Sequence, residues 1–260
     1  MDTLPISVCV ISGAEGARIG RALESVSGWT SEIIVVLNEE VQDGTEAIAC
    51  QFGARVFREP WKGFRDQKIS AAQKAGQEWV LNLDTDEVVS PELREEIRRT
   101  FADPARLGRF AAFSFPRLCW YWGRWIRHGD WYPDRVVRLW RRGRAEWGGG
   151  DVHERLVVQG AVGKLRADLH HYSRESINAH LAKIIPFSDE FVRARAGARR
   201  PPGVFDLVAR PCWRFVRAYV FRLGLLDGWP GYYVACHTAF ATVVRYAKLR
   251  EARTRDRAPS

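Results

Sequence analysis

The sequence predicts an α/β fold with a mainly parallel sheet, and two patterns lead to this prediction. Short β-rich runs occupy residues 6–12, 32–37, 54–57 and 79–83. Helical spacing of apolar residues fills the intervals, at 18–26, 45–52 and 69–76. A β-α-β-α-β-α-β order favours parallel strands joined by right-handed crossovers. Since 46% of the residues are hydrophobic, the chain can bury a core of this kind and is not disordered.

The chain beyond residue 83 continues this domain and then changes character. Ser90 and Pro91 predict the start of an amphipathic helix over 91–101, by an N-cap and a first-position proline. Strands are expected at 110–116, 135–140 and 167–172, and a mobile triple-glycine loop at 148–150. We therefore expect one α/β domain over 1–173 and a helical region over 174–260.

Composition limits the partners and the compartment. The 260 residues carry a net charge of +9, so an anionic partner such as a phosphorylated substrate or a membrane surface is expected. The five cysteines are scattered and lack CxxC spacing, which favours a reduced, cytoplasmic protein without a disulfide frame or zinc site. No signal-peptide pattern begins the sequence, and neither GxGxxG nor GxxxxGK[ST] follows a strand.

The acidic tip of the fourth strand is the strongest candidate site. Residues 79–83 are apolar apart from Asn82 and lead directly into Asp84, Thr85 and Asp86. In an extended chain, alternation would place Asp84 and Asp86 on one side, where two carboxylates repel unless a cation joins them. A Mg²⁺ or Mn²⁺ ion that also holds substrate phosphates is the expected partner. The carboxyl ends of strands in open α/β sheets are where ligands bind.

Several stretches together resemble the family-2 inverting glycosyltransferases of the GT-A fold. Within that family they are most similar to the bacterial group that adds glucose to the lipopolysaccharide core. The matching stretches, in chain order, are ARIGRALESV (17–26), EIIVV (32–36), DGTEAIACQFGARVFREPWKGFRDQK (43–68), LNLDTDEVVSPELREEI (81–97), HGDWYPDRVVRLW (128–140), VHE (152–154), LHHYS (169–173) and GLLDGWPGYYVACHTAFATVVRYAKL (224–249).

This resemblance implies a metal-dependent transfer of a sugar, with inversion, from a nucleotide-diphosphate sugar such as a UDP-hexose. The acceptor would be a saccharide or glycolipid of the lipopolysaccharide core or another cell-envelope glycan. By the same resemblance, Asp86 would bind the metal, helped by Asp84 and by His171, with His170 as the alternative imidazole. Glu154 would be the general base, and Asp151 is the alternative candidate for this role.

The resemblance also implies binding residues around these groups. Glu15 and Asn38 would contact the base and ribose, and Arg65 and Lys68 the phosphates of the nucleotide. The acceptor would meet an aromatic and charged rim, because aromatic rings stack on sugars and carboxylates accept their hydroxyls. That rim is expected to consist of Trp131, Tyr132, Asp134 and Arg138.

The C-terminal region mixes arginines with aromatic residues. Segments 211–223 and 228–244 predict two interfacial helices that lie on an anionic membrane, followed by a basic tail. The alternative is a helical cap packed on the domain. The expected location is therefore cytoplasmic, peripheral on the inner face of the plasma membrane.

Two other classes of function fit parts of the sequence. A non-catalytic membrane-surface or nucleic-acid binding protein on the same scaffold would explain the positive charge, although no nucleic acid partner is expected. The motif LNLDTDEV also fits the start of haloacid-dehalogenase-like phosphatases, in which the first aspartate is a nucleophile. That motif normally opens its domain, whereas three β-α units precede it here.

Overall fold

The computed structural model describes residues 3–148, 154–173, 176–195 and 202–255. The helices and strands of the first 121 residues are β1 (Leu4–Ser12), α1 (Gly16–Val26), β2 (Thr30–Asn38), α2 (Thr45–Gln51), β3 (Arg55–Glu59), α3 (Phe64–Gln73), β4 (Trp79–Asn82), β5 (Glu87–Val89), α4 (Pro91–Phe101), α5 (Pro104–Gly108) and β6 (Ala112–Tyr121). Those that follow are β7 (Arg124–Ile126), β8 (Asp134–Arg141), β9 (Ala145–Gly148), β10 (Arg155–Val158), β11 (Val162–Lys164), β12 (Leu169–His171), α6 (Ile177–Arg193), α7 (Arg210–Val216) and α8 (Gly228–Arg255).

The chain divides into two compact units. The first contains residues 1–118 and 134–172, and the second contains residues 119–133 and 173–260. The sequence had assigned 119–133 to the α/β domain. The structure places this segment in the second unit, because its aromatic side chains pack there: the ring of Tyr121 lies 5.0 Å from that of His180 on α6.

The first unit is built on a mixed sheet with the strand order β3-β2-β1-β4-β8-β6-β12-β5. Strands β3, β2, β1 and β4 are parallel, as the alternating pattern predicts. Strand β8 then enters between β4 and β6 and is antiparallel to both. The prediction of an α/β, mainly parallel mixed sheet with flanking helices is confirmed.

Two apolar layers hold this sheet against its helices. The larger one buries α1 through Ile19, Ala22, Leu23 and Val26 against β1 and β4. Helix α4 begins where the sequence predicts, because the Ser90 hydroxyl accepts a hydrogen bond from Leu93 N at 3.0 Å. These contacts fix the carboxyl ends of β1, β2 and β4, where the candidate site lies.

The second unit is helical apart from the short hairpin that β7 forms with residues 119–121. Its centre is an aromatic group in which the Tyr121 hydroxyl lies 3.1 Å from His180 Nδ1. The first turn of α8 requires glycine at Gly231, since a Cβ there would lie 1.9 Å from the carbonyl oxygen of Gly224. Within the described residues, none of the helices combines the length and the apolar character that crossing a membrane requires.

Candidate active site

The chain turns at the acidic tip of β4. The backbone N–H of Glu87 donates to the carbonyl oxygen of Asp84 at 2.9 Å, so residues 84–87 form a turn. The extended geometry assumed for Asp84 and Asp86 in the sequence analysis is therefore wrong. As a result, the two carboxylates contact different partners.

Asp84 lies between two cations. Lys68 Nζ is 3.2 Å from Asp84 Oδ1 and 3.0 Å from Glu154 Oε1, so one ammonium joins the first aspartate of the motif to the predicted base. Arg138 donates to the other oxygen of Asp84. Burial alone would raise the pKa of Asp84, but the charges of Arg138 and Lys68 outweigh it and hold that pKa well below its ordinary value of 3.8. Asp84 is therefore ionised at physiological pH.

Lys68 is positioned from two sides. It lies on the buried face of α3 with a side chain only 5% exposed. The ring of Trp147 on β9 lies 5.1 Å from Lys68 Nζ, within the range of a cation–π contact. A buried ammonium needs compensating negative charge, which Asp84 and Glu154 supply.

Arg138 extends this cluster toward a fully buried carboxylate. Its Nη2 donates to Glu87 Oε1 at 2.7 Å, and Glu87 Oε2 accepts the backbone N–H of Asp84 at 3.2 Å. Arg117 lies 3.4 Å from Glu87 and 2.7 Å from Asp134. The result is a continuous line of alternating charge from Glu154 to Asp134. Within it, Glu87 and Asp84 exchange hydrogen bonds that fix the turn.

The register of the sheet explains why Arg138 reaches Asp84. Strand β8 is antiparallel to β4 and pairs Leu139 with Leu81, so Arg138 lies beside the end of β4 where Asp84 follows. Burial opposes its charge, but Asp84 and Glu87 outweigh burial and raise the pKa of Arg138 further. The guanidinium is thus a permanent positive charge.

Asp86 has a different partner. Strand β12 is antiparallel to β5 and pairs His171 with Glu87, which brings His171 Nε2 to 3.2 Å from Asp86 Oδ2. Burial raises the pKa of Asp86, but the hydrogen bond and charge of His171 outweigh it, and the pKa of Asp86 lies below its ordinary value. His171, rather than His170, is the imidazole next to the motif.

The pair of Asp86 and His171 fits a Mg²⁺ or Mn²⁺ ion. One carboxylate oxygen and one imidazole nitrogen lie close enough to share an ion, and such ions commonly take their other ligands from substrate phosphates and water. Among residues 3–148, 154–173, 176–195 and 202–255, no three His, Cys, Asp or Glu side chains form a ready metal group. The donor set therefore suits an ion that arrives with an oxygen-rich ligand.

A cavity of about 450 Å³ opens on one part of this charge cluster. Its lining includes Lys68, Asp84, Arg138, Trp147 and Glu154, and among the described residues it does not include Asp86 or His171. Two N–H groups of the lining residues, Trp147 Nε1 and Arg138 Nε, are buried without an acceptor in the described structure. A buried donor without a partner costs about 1–3 kcal/mol, so both groups add to the cost of this arrangement.

The residues predicted to bind the nucleotide have local partners. Glu15 directly precedes α1 and pairs with Arg18 at 3.4 Å, whereas Asn38 ends β2 and its Oδ1 accepts the backbone N–H of Glu40 at 3.3 Å. Arg65 lies in the first turn of α3, and its Nε is 2.8 Å from Asp66. Lys68 is the predicted nucleotide residue whose described contacts include the acidic motif. The roles of the other three stay predictions.

A residue that the sequence analysis did not single out joins the first two loops. Asp43 Oδ2 accepts the backbone N–H of Gly16 at 2.9 Å, and its Oδ1 accepts both polar groups of Thr45. A Cβ on Gly16 would lie 2.8 Å from the carbonyl oxygen of Asp43, so the position requires glycine. The DGT sequence after β2, at 43–45, is the signal that could have identified this contact.

The predicted acceptor residues are divided between the two units. Trp131 belongs to the second unit and makes edge contacts with Tyr121 and His180. Tyr132 is in the same unit, whereas Asp134 lies in the first unit and pairs with Arg117. Arg138 is buried between Asp84 and Glu87, so its assignment to the acceptor does not match its contacts. The predicted reserve base Asp151 and the glycines at 149 and 150 lie outside the described residues.

Comparisons with known proteins show the family to which the chain belongs. Residues 7–153 match the family described as glycosyl transferase family 2. An uncharacterized glycosyltransferase of Rickettsia typhi is 32% identical over 97% of this chain and 89% of its own length. The lipopolysaccharide core biosynthesis glycosyltransferase LpsC of Rhizobium meliloti is 28% identical over 85% of this chain and 83% of its own.

A solved structure has the same fold. The crystal structure of S. aureus TarS residues 1–349 in complex with UDP-GlcNAc superposes with a TM-score of 0.50 and 12% identity. The match covers 97% of this chain and 92% of that one. The fold is thus the GT-A fold of nucleotide-sugar enzymes, and the protein is a glycosyltransferase. It belongs to glycosyl transferase family 2.

Proposed function

We propose that the protein transfers a sugar, with inversion, from a nucleotide-diphosphate sugar to a saccharide acceptor. The donor is a UDP-hexose, and the acceptor belongs to the lipopolysaccharide core or another cell-envelope glycan. The observation that carries this proposal is the cavity in which Lys68, Asp84, Arg138 and Glu154 meet beside two unpaired N–H groups. The likeness to LpsC supports the class of acceptor.

The cations of the cavity are suited to the donor phosphates. Lys68 and Arg138 already bind carboxylates, and phosphate oxygens are acceptors of the same kind. Asp86 and His171 would hold a Mg²⁺ or Mn²⁺ ion, which when bound offsets charge on the leaving diphosphate as a Lewis acid. Asp84 keeps Lys68 and Arg138 in place.

Glu154 is the group on this surface suited to accept a proton. An inverting transfer needs one base, which takes the proton of the acceptor hydroxyl as it attacks the anomeric carbon. In the structure Glu154 binds Lys68 at 3.0 Å. A donor phosphate competes for the same ammonium, so binding of the donor would release Glu154 for the hydroxyl. Donor binding would then precede proton transfer.

A donor screen tests the proposal. Purified protein is incubated with a panel of nucleotide sugars, with and without Mn²⁺, and released nucleotide is measured. We expect metal-dependent turnover of at least one donor, and a donor-dependent rise in thermal midpoint, since a ligand that binds only the folded state stabilises it.

Two substitutions test whether Asp86 is required for the effect of the metal. Asp86→Asn should abolish the effect of Mn²⁺, whereas Asp189→Asn, an exposed carboxylate of the second unit paired with Lys248, should leave it unchanged. If no donor is turned over and Asp86→Asn behaves as the parent in thermal shift, the protein is instead a non-catalytic binding protein on this scaffold.

A further inference from the structure

The second unit exposes an unusually large apolar surface between residues 204 and 232. Large apolar side chains there are open to solvent, whereas an ordinary soluble surface has few contiguous groups of this size. Phe205 is 68% exposed, Phe221 66% and Trp229 62%. The full set, which we call the docking surface, is Val204, Phe205, Val208, Trp213, Val216, Val220, Phe221, Leu223, Leu225, Leu226, Trp229 and Tyr232.

The helical part of the docking surface is amphipathic. Residues 205–221 form a continuous helical segment of α7 flanked by two π-helical turns. Within α7, Trp213 and Val216 are three residues apart and share one face, and the ring of Phe221 in the following turn lies 5.6 Å from that of Trp213. Arg210 and Arg214 are four residues apart in α7 and share a second face, and both Arg214 and Arg217 contact Asp130. Apolar and cationic side chains therefore form adjacent stripes.

The arginines carry excess positive charge. Asp130 lies 2.8 Å from Arg217, 3.2 Å from Arg214 and 3.3 Å from Arg222, so one carboxylate serves three guanidinium groups. The side chains of these arginines are between 30% and 43% exposed. Among the described residues, Asp130 balances one of these three positive charges, so the cluster offers an excess of positive charge to an anionic partner.

We propose that the docking surface lies in the interface of an anionic lipid bilayer, with its apolar residues at the acyl boundary and its arginines at the headgroups. Tryptophan, tyrosine and arginine are the residues that membrane interfaces favour. Each arginine near an anionic surface adds attraction to that surface. The surface joins both features within one helical segment and the turn that follows it.

A second copy of the chain is a poorer occupant. A two-fold self-association would place the same patch of both copies together, including the arginines of each. Like charges brought together at an interface oppose association, and one Asp130 per copy does not neutralise them. Membrane docking does not depend on the proposed transferase activity.

Vesicle binding of the full chain tests this proposal. The protein is sedimented with phosphatidylcholine vesicles that contain or lack phosphatidylglycerol, at low and at high salt. We expect binding to the anionic vesicles that weakens as salt rises. The triple variant Phe205→Ser, Phe221→Ser and Trp229→Ser should bind at least about tenfold more weakly, because each removes apolar area that enters the interface.

A matched variant controls for the loss of apolar surface itself. Phe64, Val157 and Val162 are exposed in the first unit, and their triple replacement by serine should leave vesicle binding unchanged. Failure of the parent to bind anionic vesicles, or equal weakening in both triple variants, would overturn the proposal. So would a stable dimer of the parent, by light scattering, that the docking-surface variant converts to monomer.

Fluorescence supplies a second test that does not depend on folding of the triple variant. Brominated lipids quench tryptophans that enter the bilayer, so quenching of the parent should fall in the conservative variant Trp213→Phe, Trp229→Phe. Quenching that is unchanged in this variant would place membrane contact elsewhere and contradict the proposal.

Discussion

Glu87 is the residue on which the geometry of the acidic turn depends most directly. Its carboxylate is fully buried and accepts hydrogen bonds from Arg138 at 2.7 Å, from the backbone N–H of Asp84 at 3.2 Å, and from Arg117 at 3.4 Å. The substitution Glu87→Gln keeps the shape but removes the charge. It also turns an amide NH₂ group toward one of these donors.

The expected cost follows from these contacts. A hydrogen bond to a charged group contributes about 1.5–3 kcal/mol, and an unsatisfied buried polar group costs a further ~1–3 kcal/mol. The contact with Arg117 is long and that side chain is 27% exposed, so it adds little. The loss of stability should therefore come mainly from the contact between Glu87 and Arg138. We expect Glu87→Gln to lower the free energy of unfolding by about 2–4 kcal/mol.

Urea denaturation of the ligand-free protein measures this effect. Glu24→Gln is the matched control, because Glu24 is exposed on α1 and should change stability by less than about 0.5 kcal/mol. The double variant Glu87→Gln, Arg138→Met should be more stable than the sum of the single effects predicts, by about 0.5–3 kcal/mol, since the two residues are in contact. Equal stability of Glu87→Gln and the parent would refute the role assigned to Glu87.

Three further substitutions test the charge cluster and its surroundings. Lys68→Met should lower both stability and turnover, because it leaves Asp84 and Glu154 without their shared ammonium, whereas Lys164→Met, at an exposed position, should change neither. Glu154→Gln should reduce kcat by about 10²–10⁴-fold while donor protection in thermal shift persists; a small change in kcat would assign the base elsewhere. Burial raises the pKa of Glu59, but hydrogen bonds from Lys74 and other neighbours outweigh it and lower the pKa from 4.5 to about 2. The contribution of Glu59 to stability is therefore complete above pH 4.5 and is lost as pH falls toward 2, so Glu59→Gln should flatten acid unfolding between these values.

The parallel half of the sheet was predictable because its signals are local. Strands β1, β2 and β4 contain short apolar runs, and helix α1 repeats its apolar residues at helical spacing. Strand β3 and helix α3 carry weaker signals: β3 has three charged residues among its five, and α3 spans Phe64–Gln73 where the sequence predicts a helix at 69–76. Residues 134–141 also alternate as a strand, but nothing local indicates that β8 inserts beside β4. That insertion is a long-range pairing, and it determines where Arg138 lies.

The boundary between the two units was beyond sequence reasoning for a related reason. Residues 119–133 are rich in aromatic and basic side chains, which suit either a sugar-binding rim or a helical core. In the structure, Tyr121 and Trp131 belong to a helical core, where they pack with His180. Aromatic composition indicates that a segment is buried or binds a ligand, but it does not indicate which part of the chain the segment packs against. Here that part consists of helices that begin more than 40 residues later.

The sequence contains a signal that the carboxylate of Glu87 is paired with a cation. It is a charged residue that opens an otherwise apolar strand, followed by Val88 and Val89 and buried completely. Charged side chains are almost never fully buried unless they are paired, so such a position implies a cationic partner elsewhere in the fold. The sequence does not specify which of the 40 lysines and arginines supplies it.

The turn at residues 84–87 gives the two aspartates of the motif different contacts. Asp84 neutralises Lys68 and Arg138, and its low pKa makes it a constant charge. Asp86 contacts the imidazole of His171, and under the proposed function it would be the carboxylate that binds the metal ion. A carboxylate already shared by two buried cations would have to release one of them to bind metal. Under the proposed function, the two-residue spacing of the motif would divide these tasks between Asp84 and Asp86, and the turn stabilised by Glu87 holds the two carboxylates against different partners.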